Sequence, residues 1–267
     1  MIIDTFTFWK ELDILEIRLN ELNDIVDKFV LVEAAHTQSM QPKPYYFEEN
    51  KSRFTKFLDK IIHVKVDDKI DISQNPWAFE NFQRQCIARG LNQLSIQSTD
   101  YILVSDVDEI PKAECLQRLL PTIGQILCFG MTYNVYYLNL VMRHKLWPGT
   151  VAVRAGDLQC DMHTLIKLRD RLPHHLIPCD TGWHLGYQGG EQVVFDKYFS
   201  CIEPFNKNDI PGRELFDNVF KERAKDKGSF IFCDNLDRKD LILDQVPINN
   251  LPEYVVDNQE RFKDFLL

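Results

Sequence analysis

The chain has 267 residues and a mass of 31.4 kDa, room for one large domain or two small ones, with 45% hydrophobic, 27% charged and 12% aromatic residues. That balance excludes a disordered or collagen-like chain. A net charge of -9 and a pI near 5.3 disfavour a phosphate backbone, so nucleic acid is not an expected partner and a phosphorylated ligand has to be met by a local cation or a metal.

In chain order, residues 2–8 (IIDTFTF) read as a strand, and Leu12, Leu15, Leu19, Leu22 and Val26 then recur at helical spacing across 11–27. Residues 29–33 (FVLVE) form a continuous apolar run ending in a carboxylate, the pattern of a strand covered on both faces whose C-terminal end opens into a site. A helix over 48–60 and a strand at 61–66 (IIHVKV) follow. Next come a helix over 77–94, weakened slightly by Gly90, and an apolar strand at 101–105. Strand, helix and strand in succession predict an α/β class with a mostly parallel, Rossmann-type sheet flanked by helices. Beyond residue 111 the pattern loosens into strands at 126–131, 133–138 and 151–154, with a turn at Trp147-Pro148-Gly149, which predicts a mixed sheet extension. Helices are expected over 191–202 and 213–225, and a last amphipathic one from Pro252. The expected organisation is a single domain over 1–267, with a nucleotide-binding half at 1–111 and an acceptor half at 112–267. Seven scattered cysteines, an odd number in mostly apolar surroundings, suggest reduced thiols and a cytoplasmic location. No stretch reaches the roughly 18 apolar residues of a membrane span, which leaves peripheral membrane contact at most.

The sharpest chemical feature is Asp106-Val107-Asp108 at the end of an apolar strand. A turn there can bring two carboxylates toward one hard cation, and open α/β sheets bind ligands beyond the carboxyl ends of their strands; solvated loop acids are the bland alternative. A calcium-binding EF-hand is excluded, because Pro111 stands where that loop needs glycine. Two enzyme chemistries fit: a nucleotide-sugar transferase holding Mn²⁺ or Mg²⁺ across a diphosphate, and a phosphohydrolase with an aspartate nucleophile. The second candidate is residues 181–187 (TGWHLGY), where Trp183 can face a sugar ring and His184 can ligate a metal, the alternative being a buried strand with a satisfied histidine. Glu191 follows two glycines at an expected helix start, as a dipole-stabilising residue or a base. Arg84, Arg89 and the Arg143-His144-Lys145 cluster are candidates for phosphate contact, though isolated basic side chains are usually solvated. Cys160, His163, His174, His175 and Cys179 match zinc spacing only loosely.

Taken together, residues 20–33, Pro42-Lys43-Pro44 with Phe47-Glu48, residues 105–111 (SDVDEIP), Gly182-Trp183-His184 and residues 254–267 (YVVDNQERFKDFLL) resemble glycosyltransferase family 17. The resemblance is strongest over 4–111 and thin over 140–180. It implies a GT-A-like fold, an inverting transfer to a glycan acceptor and a UDP-sugar donor, expected to be UDP-GlcNAc, as in the N-acetylglucosaminyltransferases of that family. Carried onto this sequence, Asp106 and Asp108 form the metal and diphosphate motif, and Glu33 is the acid ending the first central strand. His184, as a third metal ligand, and Arg84 and Trp183, on the donor side, extend that set by inference. Glu191, then Glu203 and Asp180, are the candidate bases. The animal members carry a membrane anchor and stem, which this chain is expected to be without. A catalytically dead glycan-binding protein remains a rival, needing Trp183 and Tyr187 but not both aspartates.

Overall fold

The computed structural model describes residues 1–75, 77–122, 124, 126–171, 176–177, 180–189, 193, 197 and 242–267. Strands β1 (Ile2–Phe8), β2 (Lys28–Ala34), β3 (Ile61–Val66) and β4 (Tyr101–Asp106) lie parallel in the order β3-β2-β1-β4. Alternate residues divide between two cores. Phe6, Phe29, Leu31 and Leu103 pack with helix α1 (Leu12–Leu22), which lies on one face. Ile3, Val30, Val32 and Val104 pack with the opposite layer, formed by α3 (Ala78–Gln85), α4 (Ile87–Leu91) and α6 (Met162–Arg171). Burial on both faces is why these strands read as unbroken apolar runs.

The second half is mixed, as expected. Strand β5 (Glu109–Pro111) follows β4 after a two-residue turn and pairs antiparallel with β9 (Gly182–Gly186). Strands β6 (Ile126–Val135) and β7 (Leu140–Arg154) form an antiparallel pair, and β7 also runs antiparallel to β4, joining both halves into one sheet. Strand β8 (Leu176–Ile177) adds to β6 and β10 (Leu243–Gln245) to β7. The short helices α2 (Tyr46–Glu49), α5 (Ala113–Leu119) and α7 (Glu253–Asp257) complete the labelled set, and α7 packs on α1. No described helix is long and apolar enough to cross a membrane.

Several expected boundaries move. The helix over 77–94 is two, because Cys86 (φ -65°, ψ -10°) interrupts α3 and α4. Gly90 is required in α4, since a Cβ there would overlap Val30 Cγ1 on β2. Residues 48–60 give only α2 and a 3-10 stretch at Lys51–Phe57. The turn at Trp147-Pro148-Gly149 is absent and those residues lie inside β7, because register shifts in β6 at Cys128/Gly130 and Thr132/Asn134 accommodate the proline. The helix from Pro252 stops at Asp257. The helices expected over 191–202 and 213–225 lie outside the described residues, apart from single positions at 193 and 197.

Candidate active site

Strand β4 ends at Asp106, Val107 turns inward into the core, and the chain reverses through Asp108 into β5. Both carboxylates of the pair line one cleft of about 390 Å³ at the C-terminal ends of β1 and β4. They face different neighbours within it. Asp106, with 30% of its side chain exposed, is paired to Arg84 of α3 (Nη2–Oδ1 2.8 Å) and accepts a hydrogen bond from Thr7 Oγ1 at 2.9 Å. Burial raises its carboxyl, but the charges of Arg84 and Arg169 with the Arg84 and Thr7 hydrogen bonds hold it well below the usual carboxylate range. Asp108, only 6% exposed, lies 2.9 Å from Lys197 Nζ and 3.8 Å from His184 Nε2.

His184 arrives through β9, whose register sets it opposite Glu109 on one side and Tyr133 on the other. Its ring stacks on Tyr133 (4.5 Å between centroids, 13°) and tilts against Trp147 (4.3 Å). Burial pushes its pKa down to about 4 against the pull of Asp108, with Lys197 and Arg169 adding to the fall. The imidazole is therefore neutral at pH 7 and keeps a lone pair for a ligand. Gly186 lies against the same ring pair: a Cβ at that position would press on Tyr133 Cε2 at 3.0 Å and touch His184 Nε2 at 3.6 Å.

Glu109 carries the other side of the turn. Its buried carboxylate accepts Arg169 Nη1 (2.6 and 2.8 Å), Trp147 Nε1 (2.7 Å) and the Asp106 backbone N–H (3.1 Å). Burial raises its pKa, Arg169 opposes the rise, and Asp106 and Asp108 add to it. Arg84 remains charged despite its burial, because Asp106 and Glu80 flank it, and its Nη1 has no hydrogen-bond partner among the described residues. The cleft thus interleaves cations, Arg84 from α3, Arg169 from α6, Lys43 and Lys197 among them, with five carboxylates, Glu11, Glu80, Asp106, Asp108 and Glu109, so its basic side chains are matched by acids.

The residues suggest a seat for a divalent cation with two protein donors, an oxygen from Asp108 and the neutral nitrogen of His184. No group of three or more such donors converges among the described residues, so further coordination would have to come from the ligand or water. Both acids are ion-paired, Asp106 with Arg84 and Thr7 and Asp108 with Lys197, so an ion held by Asp108 and His184 would have to take the place of Lys197 Nζ at Asp108 Oδ2.

The remaining sequence candidates fall elsewhere. Glu33 is the penultimate residue of β2, fully buried beside the start of α2, where it accepts hydrogen bonds from Phe47 N and, at 3.0 Å, from His63 Nε2. It does not line the cleft. Trp183 points to the face of β9 opposite His184, and its indole donates to Asn250 O at 2.8 Å. Asp180 is ion-paired with Lys112 at 2.7 Å, 45% exposed and outside the cleft. Tyr187 does line it, with a left-handed backbone (φ 57°) and Lys197 5.4 Å from its ring centroid. Arg89 pairs with Asp68 and Arg143 with Asp244 at the surface. Glu191, Glu203, His174, His175 and Cys179 lie outside the described residues, as do the side chains of His144 and Lys145.

Sequence reading missed Arg18, Arg169, Lys197, Tyr133 and Trp147. Arg18 had a signal: it occupies the apolar stripe of α1, between Leu15 and Leu22. Arg169 had none, because α6 was not expected.

Among curated proteins, three β-1,4-mannosyl-glycoprotein 4-β-N-acetylglucosaminyltransferases are similar to this chain. The rat protein is 29% identical over 164 residues, covering 58% of this chain and 29% of its own length. The human one is 29% identical over 155 residues (55% and 28%), and the mouse one 28% over 173 residues (61% and 30%). The aligned part is thus under a third of each relative. Among solved structures, an active-site mutant of LgtC aligns over 93% of this chain and 98% of its own, at 11% identity and a TM-score of 0.32. Residues 1–196 match the model of glycosyltransferase family 17, and the chain belongs to that family.

Proposed function

We propose that this chain is an inverting, metal-dependent glycosyltransferase that moves N-acetylglucosamine from UDP-GlcNAc to a glycan acceptor. The observation that carries the reading is Asp108 facing a neutral His184 across 3.8 Å, in a cleft that also presents Arg84, Arg169 and Lys197. The donor diphosphate is the anion this cleft would receive, with the basic side chains meeting its charge. Asp108 and His184 would hold a Mn²⁺ or Mg²⁺ ion, which would supply charge neutralisation for the departing diphosphate.

Arg84 reaches both oxygens of Asp106 (2.8 and 3.0 Å) and holds the carboxylate ionised and fixed, so a donor hydroxyl would meet it as a further donor in a preset orientation. Tyr133 and Trp147 keep water from the His184 ring. In the transfer, the acceptor oxygen bonds to the anomeric carbon, the bond from that carbon to the diphosphate oxygen breaks, and the hydroxyl proton passes to a carboxylate. Glu191, a few residues beyond β9, is the proposed base. UDP leaves and the anomeric configuration inverts.

The rival chemistries lose their main residues. Asp106, tied to Arg84 and Thr7, is not the free nucleophile an aspartyl-phosphate phosphohydrolase needs. Trp183, hydrogen-bonded to Asn250 O inside the core, offers no face to a bound glycan. Thermal unfolding tests the reading. With UDP-GlcNAc and Mn²⁺ at one hundred times the dissociation constant, the native state gains about 2.7 kcal/mol. For a chain of this size that is a rise of roughly 5 °C. No rise with donor and metal together contradicts the proposal.

A further inference from the structure

Arg18 is a charged side chain with no exposed surface, carried by α1 on the side of the sheet away from α3. Its guanidinium is fully committed. Nε and Nη2 grip Asp4 of β1 at 2.7 and 2.6 Å, and Nη2 also donates to Ser105 Oγ at 2.7 Å. Nη1 donates to three main-chain carbonyls, those of Asp106 (3.1 Å), Val107 (3.3 Å) and Glu109 (2.8 Å). The Phe6 ring lies 4.5 Å from the guanidinium carbon.

Those three carbonyls belong to the reversal between β4 and β5, where the ladder with β1 ends at Asp106 and strand pairing resumes at Glu109. Buried carbonyls without partners are costly, and a planar cation with five donors satisfies several at once in a fixed geometry. Asp4 is itself locked in β1, opposite Phe29 on one side and Leu103 on the other. The turn is therefore referenced, through one side chain, to β1, which is flanked by β2 and β4 at the centre of the parallel half.

We propose that Arg18 is the positioning residue of the acidic turn, setting its backbone so that Asp106 meets Arg84 while Asp108 meets His184. Arg18 touches no ligand; it acts through the carbonyls that flank the two carboxylates. The consequence for turnover rests on the function proposed above, whereas the consequence for the turn does not. Displacing a reacting constellation by about 1 Å costs on the order of 10²-fold in rate.

Arg18→Lys is the test, because it keeps the charge and the pairing with Asp4 but loses the fork. Three readouts are taken on the folded protein: the ¹⁵N–¹H indole resonance of Trp147, which reports its bond to Glu109; UDP affinity with Mn²⁺; and the kcat and KM of transfer. The Trp147 signal is assigned by its loss in Trp147→Phe. The expected result is a shifted indole resonance, UDP affinity in Mn²⁺ at least about tenfold weaker, and kcat about 10²-fold lower, each per folded molecule. A purely structural role lowers the melting temperature alone; unchanged resonance, affinity and kcat in folded Arg18→Lys overturn the proposal. Should that variant not fold, Ser105→Ala removes one acceptor of the fork and keeps the charge pair. It is expected to move the indole resonance and to weaken UDP binding in Mn²⁺ by about twofold or more, the lower end of the effect of losing one neutral hydrogen bond. No movement of either overturns the proposal. If wild-type protein binds no UDP in Mn²⁺, the functional reading fails, and the indole resonance still decides the role of Arg18.

Discussion

Replacing Glu21 with glutamine should stabilise the chain above neutral pH and leave it nearly unchanged in acid. Glu21 sits near the end of α1, where its carboxylate accepts the Tyr254 backbone N–H at 2.7 Å and helps fasten α7 to α1. Burial raises its pKa from 4.5 to about 7; the Tyr254 N–H opposes the rise, while Glu253, Glu114 and Asp257 add to it. A folded-state value above the unfolded one means the group's contribution is fully present below about pH 4.5 and lost as pH rises through about 7. At about 1.4 kcal/mol per unit the loss approaches about 3 kcal/mol in alkali. Solvent at the exposed part of the side chain reduces this to about 2 kcal/mol. Glutamine keeps an acceptor for the Tyr254 N–H and cannot ionise. Urea titrations of both proteins between pH 3.5 and 8.5 should give curves that coincide at the acid end, part from about pH 4.5 upward and separate by about 2 kcal/mol at the alkaline end, roughly 4 °C in melting temperature. Parallel pH profiles for Glu21→Gln and wild type would refute the burial argument.

Other outcomes follow from the site and its supports. His184→Ala should weaken Mn²⁺ binding at least about tenfold, as seen by electron paramagnetic resonance, since it removes one of two protein donors. Glu191→Gln should lower turnover by about 10²- to 10⁴-fold while calorimetric donor binding survives; unchanged turnover refutes it as base. Gly90→Ala should cost about 1–3 kcal/mol in urea unfolding through its overlap with Val30, with donor affinity intact in the folded fraction.

The parallel half of the fold was legible because β1, β2 and β4 are buried on both faces and so carry unbroken apolar runs, with Asp106 where the run stops. β7 was not, since Pro148 and Gly149 look like a turn until the irregular register of β6 makes room for them. In the site, Asp106 and Asp108 were readable from position, and His184 from its Gly-Trp-His context. Alternation along β9 then separates the pair: with His184 in the cleft, Trp183 must face the core. Glu33 lies one residue before the end of β2, and Lys43 and the start of α2 close over it and take its oxygens. Arg84, a candidate for phosphate contact in the sequence, lies in the cleft because α3 presents it next to the end of β4. Arg169 and Lys197 come from segments far along the chain, and only tertiary packing brings them to Glu109 and Asp108.

The central claim is that Asp108 and His184 bind a donor nucleotide through a divalent cation. Calorimetric titration of UDP-GlcNAc into wild-type protein and Asp108→Asn, each with and without Mn²⁺, addresses it most directly. The account predicts binding by the wild type that strengthens sharply with Mn²⁺ and a loss of that strengthening in Asp108→Asn. Equal affinity in all four titrations, or none in wild type with the metal present, contradicts it.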